Sequence, residues 1–412
     1  MPLPPPQRVH RRVRRAGLCV GALVGVGAVL ASCSTPAPAH HDSVKLLGQE
    51  AGTPAATGQP VSLGGGTLSA VSCAGSRHCW AVGLAGVGPT PTVVVATSDG
   101  GRTWAPQSLG AAAEPNLTDI SCPVVTACMA VGSVGANPPT GTVEVTRDGG
   151  RTWTAAAVPP GALDVTSVWC STPVDCTVVI SDGTLLASEV TQDGGQTWTR
   201  EGNLPDGLED PGRITCDTAG TCLVAGNVPT GSGRAQGAIA VSSDGGSTWQ
   251  SASLPSSTGL LQDAVCGSAV GCIAVGTTST TASDVVPAQG AVLFSSDNGM
   301  TWHAGPTPPV EDVFAVECPG AALCVMAGTQ WVTGTSIGTG GIGVSHDGGA
   351  TFTSISTAYT PLSLTALACP SVAQCIAVGG DTVARIHIPT SRATTTKSPR
   401  GHVTSHTHRP AS

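Results

Sequence analysis

Lysine is almost missing from this chain. Of its 412 residues only Lys45 and Lys397 are lysine, and residues 60–388 carry eight arginines, no lysine and 24 acidic residues. A segment that is this acidic and has no basic stripe is excluded as a nucleic-acid binder. Aromatic residues are also scarce, at 3%, with Tyr359 the single tyrosine, and charged residues make up only 11%. Long amphipathic helices need a charged face opposite an apolar stripe, so this composition argues against them. After residue 30 there is no apolar run approaching the ~20 residues that a membrane-spanning helix requires, and none is expected in the mature chain. What is plentiful is glycine (55), proline (32) and cysteine (16), the makings of short strands and tight turns.

The N-terminus reads as an export signal: Arg8, Arg11, Arg12, Arg14 and Arg15 precede an uncharged apolar run over residues 16–30. The run ends in Leu30-Ala31-Ser32-Cys33, which resembles the bacterial lipobox. That resemblance implies cleavage before Cys33 and a diacylglycerol on its thiol, with residues 1–32 as signal peptide. The competing reading is an ordinary signal peptide cut nearby. The paired arginines hint at twin-arginine export, but the residues expected after them are absent. Residues 33–58, rich in Pro, Ala, Thr and Gly, are predicted to be a flexible tether. Residues 389–412 form a second Ser/Thr/Pro segment, with Arg392, Lys397, Arg400 and Arg409 and no acid, and are predicted to be a disordered tail. Its His402, His406 and His408 are read as solvated side chains; no metal or other cofactor is expected.

With Cys19 in the signal and Cys33 assigned to lipid, fourteen cysteines remain. They fall as Cys73/Cys79, Cys122/Cys128, Cys170/Cys176, Cys216/Cys222, Cys266/Cys272, Cys318/Cys324 and Cys369/Cys375. Each pair is C-x5-C and recurs every 46 to 52 residues, the period of a repeat architecture. Each is flanked by strand-like sequence on both sides, so a disulfide across a hairpin is predicted, as an exported protein would permit. Zinc is the alternative, but two thiolates per repeat without a histidine fall short of four ligands.

A second motif alternates with the first: TSDGGRTW (residues 97–104), TRDGGRTW (146–153), TQDGGQTW (191–198), SSDGGSTW (242–249), SSDNGMTW (295–302) and SHDGGATF (345–352). Asp-Gly and Asn-Gly between β-rich stretches mark hairpin turns. The six copies resemble the Asp-box (BNR) repeat, S/T-x-D-x-G-x-T-W. The resemblance implies that Asp99, Asp148, Asp193, Asp244, Asp297 and Asp347 organise their own turns and that the aromatics pack between strands. Together the two motifs give four strands per repeat and a seven-bladed β-propeller over residues 59–388, all-β, one disulfide per blade. The seventh repeat lacks an Asp box and a fourth strand. Residues 60–63 (PVSL) precede the first cysteine pair as PQSL at 106–109 precedes the second, so an N-terminal strand is predicted to close the ring. Six blades and a stray hairpin is the alternative.

Up-and-down strands would put all cysteine hairpins and Asp-box turns on one, regular face. From the second cysteine to the Asp-box aspartate the spacing runs 20, 20, 17, 22, 25 and 23 residues, so the loops between second and third strands vary. That variable face is the expected functional side. Several acids fall in the segments leading into repeats: Glu114, Asp164, Asp206, Glu209, Asp210, Asp263, Glu311 and Asp312. Trp331 is placed in the sixth blade's variable loop, either exposed or packed on that loop. Trp331, Glu311, Asp312 and, across the ring, Glu209 and Asp210 are the candidate binding residues. The Asp-box family includes sialidases, but their arginine triad, tyrosine nucleophile and acid are not found here, and Tyr359 has no motif to place it. The seven-bladed relatives of photosystem II assembly-factor type imply a protein-binding role without catalysis. The expectation is therefore a membrane-anchored, extracytoplasmic, monomeric lipoprotein with no catalytic residue, which binds an envelope protein or glycan. A glycan-active enzyme is the alternative.

Overall fold

The computed structural model describes residues 54–61, 66–84, 94–110, 115–135, 137–231, 233–279, 289–331, 338–355 and 363–389. The signal, Cys33, most of the tether, Glu114, Tyr359 and the tail lie outside them. The described elements are all strands, and no helix among them is long and apolar enough to cross a membrane. They form seven four-stranded antiparallel sheets, each with its strands in chain order from the axis outward except the last. In blade 1 these are Thr67–Cys73, Cys79–Leu84, Val94–Thr97 and Ala105–Gln107.

The seventh sheet is completed from the other end of the chain. Its outermost strand is Ala55–Pro60, paired with Thr382–His387 from Ala55↔His387 to Pro60↔Thr382. Closure by an N-terminal strand is thus observed, a few residues earlier than the 60–63 segment. The physical reason is the register: Val61 N–H already donates to Asp381 O (2.7 Å), which ends the ladder at the turn.

All seven cysteine pairs are disulfides across the hairpin of the two inner strands, which settles the thiols as cystines. The hairpin clasp read from the sequence is observed in every blade, and the second cysteine of five pairs also joins the core between blades. Cys79, Cys222, Cys272, Cys324 and Cys375 are fully buried core residues. Each stands at the start of its blade's second strand and packs against the blade before it. Cys222 lies with Val179 of blade 3, Cys272 with Leu223 and Ala225 of blade 4, Cys324 with Ile273 and Val275 of blade 5, and Cys375 with Val325 and Ala327 of blade 6. The reason is strand alternation: the register that faces the two sulfurs across the hairpin also turns the second one onto the sheet face that a neighbour covers. Spacing within a repeat shows the pairing but not the neighbour.

Blades are held together by apolar side chains sandwiched between neighbouring sheets, one cluster per blade pair. Leu68, Val71 and Ala81 of blade 1, for example, meet Ile376, Val378 and Val383 of blade 7. The recurring glycine four residues after the second cysteine has a steric cause. At Gly83, Gly132 and Gly328 a Cβ would lie within 2.0 Å of the carbonyl oxygen of Thr67, Asn116 or Asp312 in the innermost strand. That strand bulges there, between Leu68 and Ala70 in blade 1 and at the same place in blade 2.

The S/T-x-D turns are closed by their own side chains. In blade 2, Thr146 Oγ1 donates to Asp148 Oδ1 (2.9 Å) and accepts from Gly150 N–H (2.8 Å), while Thr152 donates its N–H and hydroxyl to the two Asp148 oxygens (2.9 and 2.7 Å). The same donors recur in the other five turns, led by the hydroxyls of Thr103, Thr197, Thr248, Thr301 and Thr351. They hold Asp99 below the ordinary carboxylate range and the other five aspartates at about 2. Asn298 supplies the left-handed backbone (φ 58°) that glycine supplies elsewhere. Trp153 is buried and its indole N–H reaches Gln107 Oε1 of blade 1 (3.0 Å), so the turn also staples adjacent blades. In five blades the turn donates to the cysteine hairpin of its own sheet, as in Gly149 N–H to Thr126 O (3.0 Å), which puts both motifs on one face.

Candidate functional site

The opposite face carries the variable connections, and there the sixth blade brings together three of the residues singled out above. Trp331 is not in a loop: it is the last residue of the strand Leu323–Trp331, paired with Gly338, because the ladder runs further than the hydrophobic pattern does. Its backbone N–H donates to Glu311 Oε2 (2.5 Å) and its indole N–H to Asp312 Oδ2 (3.2 Å). The ring is half-buried. The two carboxylates enter the innermost strand Asp312–Gly320, so the backbone of two inner strands fixes the ring between acids.

Glu209 and Asp210 are exposed on the same face of blade 4, where Glu209 exchanges two backbone hydrogen bonds with Asn227 (2.7 and 2.9 Å). In a ring of seven they stand two blades from Trp331 rather than across from it. Nor is every acid of the lead-in segments a loop residue. Asp263 lies inside the innermost strand Leu261–Ser268 of blade 5, and Asp164 opens that of blade 3.

Those innermost strands line a central channel of about 680 Å³, and its chemistry was not foreseen. At the third residue before the first cysteine the blades carry Ala70, Asp119, Ser167, Arg213, Asp263, Ala315 and Ala366. The bulged strand turns this position inward. Asp119 accepts from Ile120 and, in the next blade, Val168 N–H (2.8 and 2.9 Å); Asp263 does the same for Ala264 and Val316 (3.0 and 2.9 Å). Arg213 of blade 4 is spent between neighbours: Nε on both Asp263 oxygens (3.1 and 3.2 Å), Nη1 on Glu317 (2.8 Å) and Nη2 on Val316 O (2.9 Å). Burial pushes Asp119 up to about 6 and raises Glu317 despite the guanidinium beside it. Trp169 and Phe314 also face the channel, half-buried. With its guanidinium satisfied three times over, Arg213 is a clasp between blades and not a free anion receptor. The signal for it in the sequence was the register: a lone arginine three before a cysteine, aligned with aspartates in two other repeats.

No protein-family model and no curated protein matches this chain. Among solved structures it is similar to YCF48 bound to D1 peptide, with a TM-score of 0.57 at 16% identity over 81% of this chain and 97% of that one. It is similar, too, to the GH74 xyloglucanase from Xanthomonas campestris (TM-score 0.54, 16% identity, 78% of this chain and 52% of that one) and to the GH74 enzyme of Niastella koreensis (0.53, 13%, 79% and 53%). The chain spans about half the length of the two GH74 proteins. What these likenesses establish is the seven-bladed β-propeller, a fold that a peptide-binding protein and glycoside hydrolases share.

Proposed function

We propose that this protein is an extracytoplasmic lipoprotein, tethered through Cys33, that binds a protein partner through the variable face of its propeller and catalyses no reaction. The observation that carries the reading is the blade 6 cluster, in which Trp331 is held between Glu311 and Asp312, its backbone N–H donating to the first and its indole N–H to the second. An aromatic ring already fixed in place loses little entropy on binding, and such anchors dominate interface energies. Flanking carboxylates favour a partner segment that carries basic side chains. The resemblance to YCF48 bound to D1 peptide supports a peptide-like ligand. A glycan is the second candidate ligand, since a ring between hydrogen-bonding acids also suits a sugar face.

The test is affinity capture from envelope extract with the mature chain, followed by titration of the captured partner. Trp331→Ala is expected to weaken it about thirtyfold, the ~2 kcal/mol typical of a hot-spot tryptophan. Asp99→Asn, on the regular face, is expected to leave affinity unchanged. Hydrolysis of a polysaccharide panel that falls when Glu209, Glu311 or Asp312 is replaced would overturn the non-enzymatic reading.

A further inference from the structure

Two tiers of side chains line the central channel, each with one residue from every blade: the fourth residue before the first cysteine, and the residue just before it. Half of these fourteen residues are serine or threonine, and the wall of the channel takes up most of the threonine protons. Thr118 Oγ1 donates to Val165 O of the next blade (3.1 Å), Thr166 Oγ1 to Val179 O (3.1 Å), Thr215 Oγ1 to Ala264 O (2.6 Å) and Thr365 Oγ1 to Val378 O (3.3 Å). A hydroxyl has a single proton, so these four oxygens offer the lumen only lone pairs. The space, about 680 Å³, is of the size that small-molecule sites have.

Charge divides the channel into two arcs. Its lining sets Asp119, Asp164, Asp263 and Glu317 against Arg213, with no lysine or histidine. Arg213 is committed to Asp263 and Glu317, so the arc of blades 4 to 6 holds its own counter-ion. The arc of blades 2 and 3 has none. Asp164, half-buried at the start of the innermost strand of blade 3, keeps Oδ1 shielded from solvent and without a hydrogen-bond partner. Burial raises this carboxyl; the Ser133 hydroxyl offsets the rise in part and no positive charge does.

The groups around Asp164 share one need. Thr118 Oγ1 reaches the carbonyl of Val165, the residue between Asp164 and Thr166, so both hydroxyls and the carboxylate are brought to a single seam. All three lack a donor. Trp169 stands three residues beyond Thr166 on the same strand, about 10 Å along it, and its half-buried ring faces the lumen. An anion would meet four carboxylates and an arginine already satisfied, and a neutral ligand would leave Asp164 uncompensated. An N⁺–H group supplies the charge and the donors together, and an aromatic face attracts a cation or covers the alkyl chain behind it.

We infer that the channel is a second binding site, separate from the Trp331 cluster, for an alkylammonium group held by Asp164, Thr118 and Thr166 with its chain lying toward Trp169. The group is carried either by a small free amine or by a lysine side chain of another protein. Neither the lipid on Cys33 nor the partner of the variable face is needed for it.

The experiment titrates the unlipidated mature chain, residues 34–412, in a calorimeter with three probes: cadaverine, a linear diamine; the peptide acetyl-Gly-Lys-Gly-amide; and glutarate, the dicarboxylate of matching length. At least one of the amines is expected to bind, and glutarate is not. Whichever amine binds more tightly identifies the source, cadaverine a free amine and the peptide an inserted lysine. Asp164→Asn keeps the shape of the side chain and removes its charge, and should weaken that amine about tenfold, as loss of a charged hydrogen bond does. Trp169→Ala should weaken it about threefold. Trp331→Ala should bind it as the parent does, so failure of the variable-face reading leaves this result untouched. Where the thermal transition shows that Trp169→Ala does not fold, Asp164→Asn decides alone. The inference is overturned if neither amine binds or if glutarate binds as tightly. It is overturned equally if Asp164→Asn keeps the parent's affinity, since the attraction would then be that of the acidic surface as a whole.

Discussion

At the scale of single residues the carboxylates divide into two populations with opposite responses to acid. The turn aspartates are held at about 2 by hydroxyl and backbone donors. Their folded-state values lie below the unfolded value of about 3.9, so the stability they add is complete above pH ~4 and is lost as the pH falls toward 2. Buried acids behave the other way. Asp119 sits at about 6, and Glu144 is raised because it is 1% exposed with Oε2 unpartnered, in the position where blade 1 has Val95. Each disfavours the folded state while ionised and ceases to do so on protonation. Stability should therefore rise from pH 7 to 5 and fall below 4. Glu144→Val should gain about 1–2 kcal/mol at pH 7, the cost of an unsatisfied buried group, and should show a smaller rise toward pH 5. Urea melts at three pH values measure all of this; a loss of stability for Glu144→Val at pH 7 would show that the carboxylate is satisfied. The turn aspartates were legible because each turn writes its own donors into eight consecutive residues. Glu144 was not, since its burial depends on the sheet that packs over it.

At the scale of elements, what could be read from sequence was whatever lies within one repeat. A cysteine pair six apart must face itself across a hairpin, and an Asp-Gly turn must join the outer strands, so blades could be counted. The burial of Cys222, Cys272, Cys324 and Cys375 against the preceding blade was not legible, because it is a contact between repeats. The closing strand pairs residues more than 300 apart in sequence. Its existence followed from a repeat short by one strand, but its register did not, since the TGQP ladder at 57–60 carries no hydrophobic alternation. Trp331 was misplaced for a related reason: glycines in its partner strand Gly338–Ser345 look like loop and pair as strand. Without residues 55–60 the strand Thr382–His387 becomes an open edge, and open edges recruit other chains. Deleting 55–60 should lower the thermal midpoint and produce light-scattering aggregates, whereas removing 390–412 should change neither. Static light scattering during a melt distinguishes them, and equal behaviour of the two truncations would mean that the closing strand contributes nothing.

At the scale of the whole molecule, the question is what keeps seven four-stranded sheets in one ring when few large side chains are available. Apolar packing between blades is general, but the innermost strands add specific ties around the channel. Cys122 N–H donates to Ser72 Oγ of the preceding blade (3.0 Å), Cys170 N–H to Ser121 Oγ (3.0 Å) and Ile214 N–H to Ser167 Oγ (3.2 Å). In blade 4 the hydroxyl tie continues, with Thr215 Oγ1 donating to Ala264 O of blade 5 (2.6 Å), and Arg213, Asp263 and Glu317 add charge to it. The ion network thus reinforces the hydroxyl ties along one arc of the ring. Such a network is asymmetric in its energetics. Removing the arginine leaves Asp263, 2% exposed, and Glu317 with no cation, and breaking a buried pair in that way costs about 3 kcal/mol. Arg213→Met should therefore destabilise strongly at pH 7, and much less at pH 4.5, where Glu317, raised by burial, takes up a proton. Adding Asp263→Asn and Glu317→Gln to Arg213→Met should recover most of the loss, because two neutral amides keep the backbone contacts without the uncompensated charge. Denaturation of the single and triple variants at both pH values decides it. If the triple variant is no more stable than Arg213→Met, the arc is held by the shape of the arginine rather than by its charge.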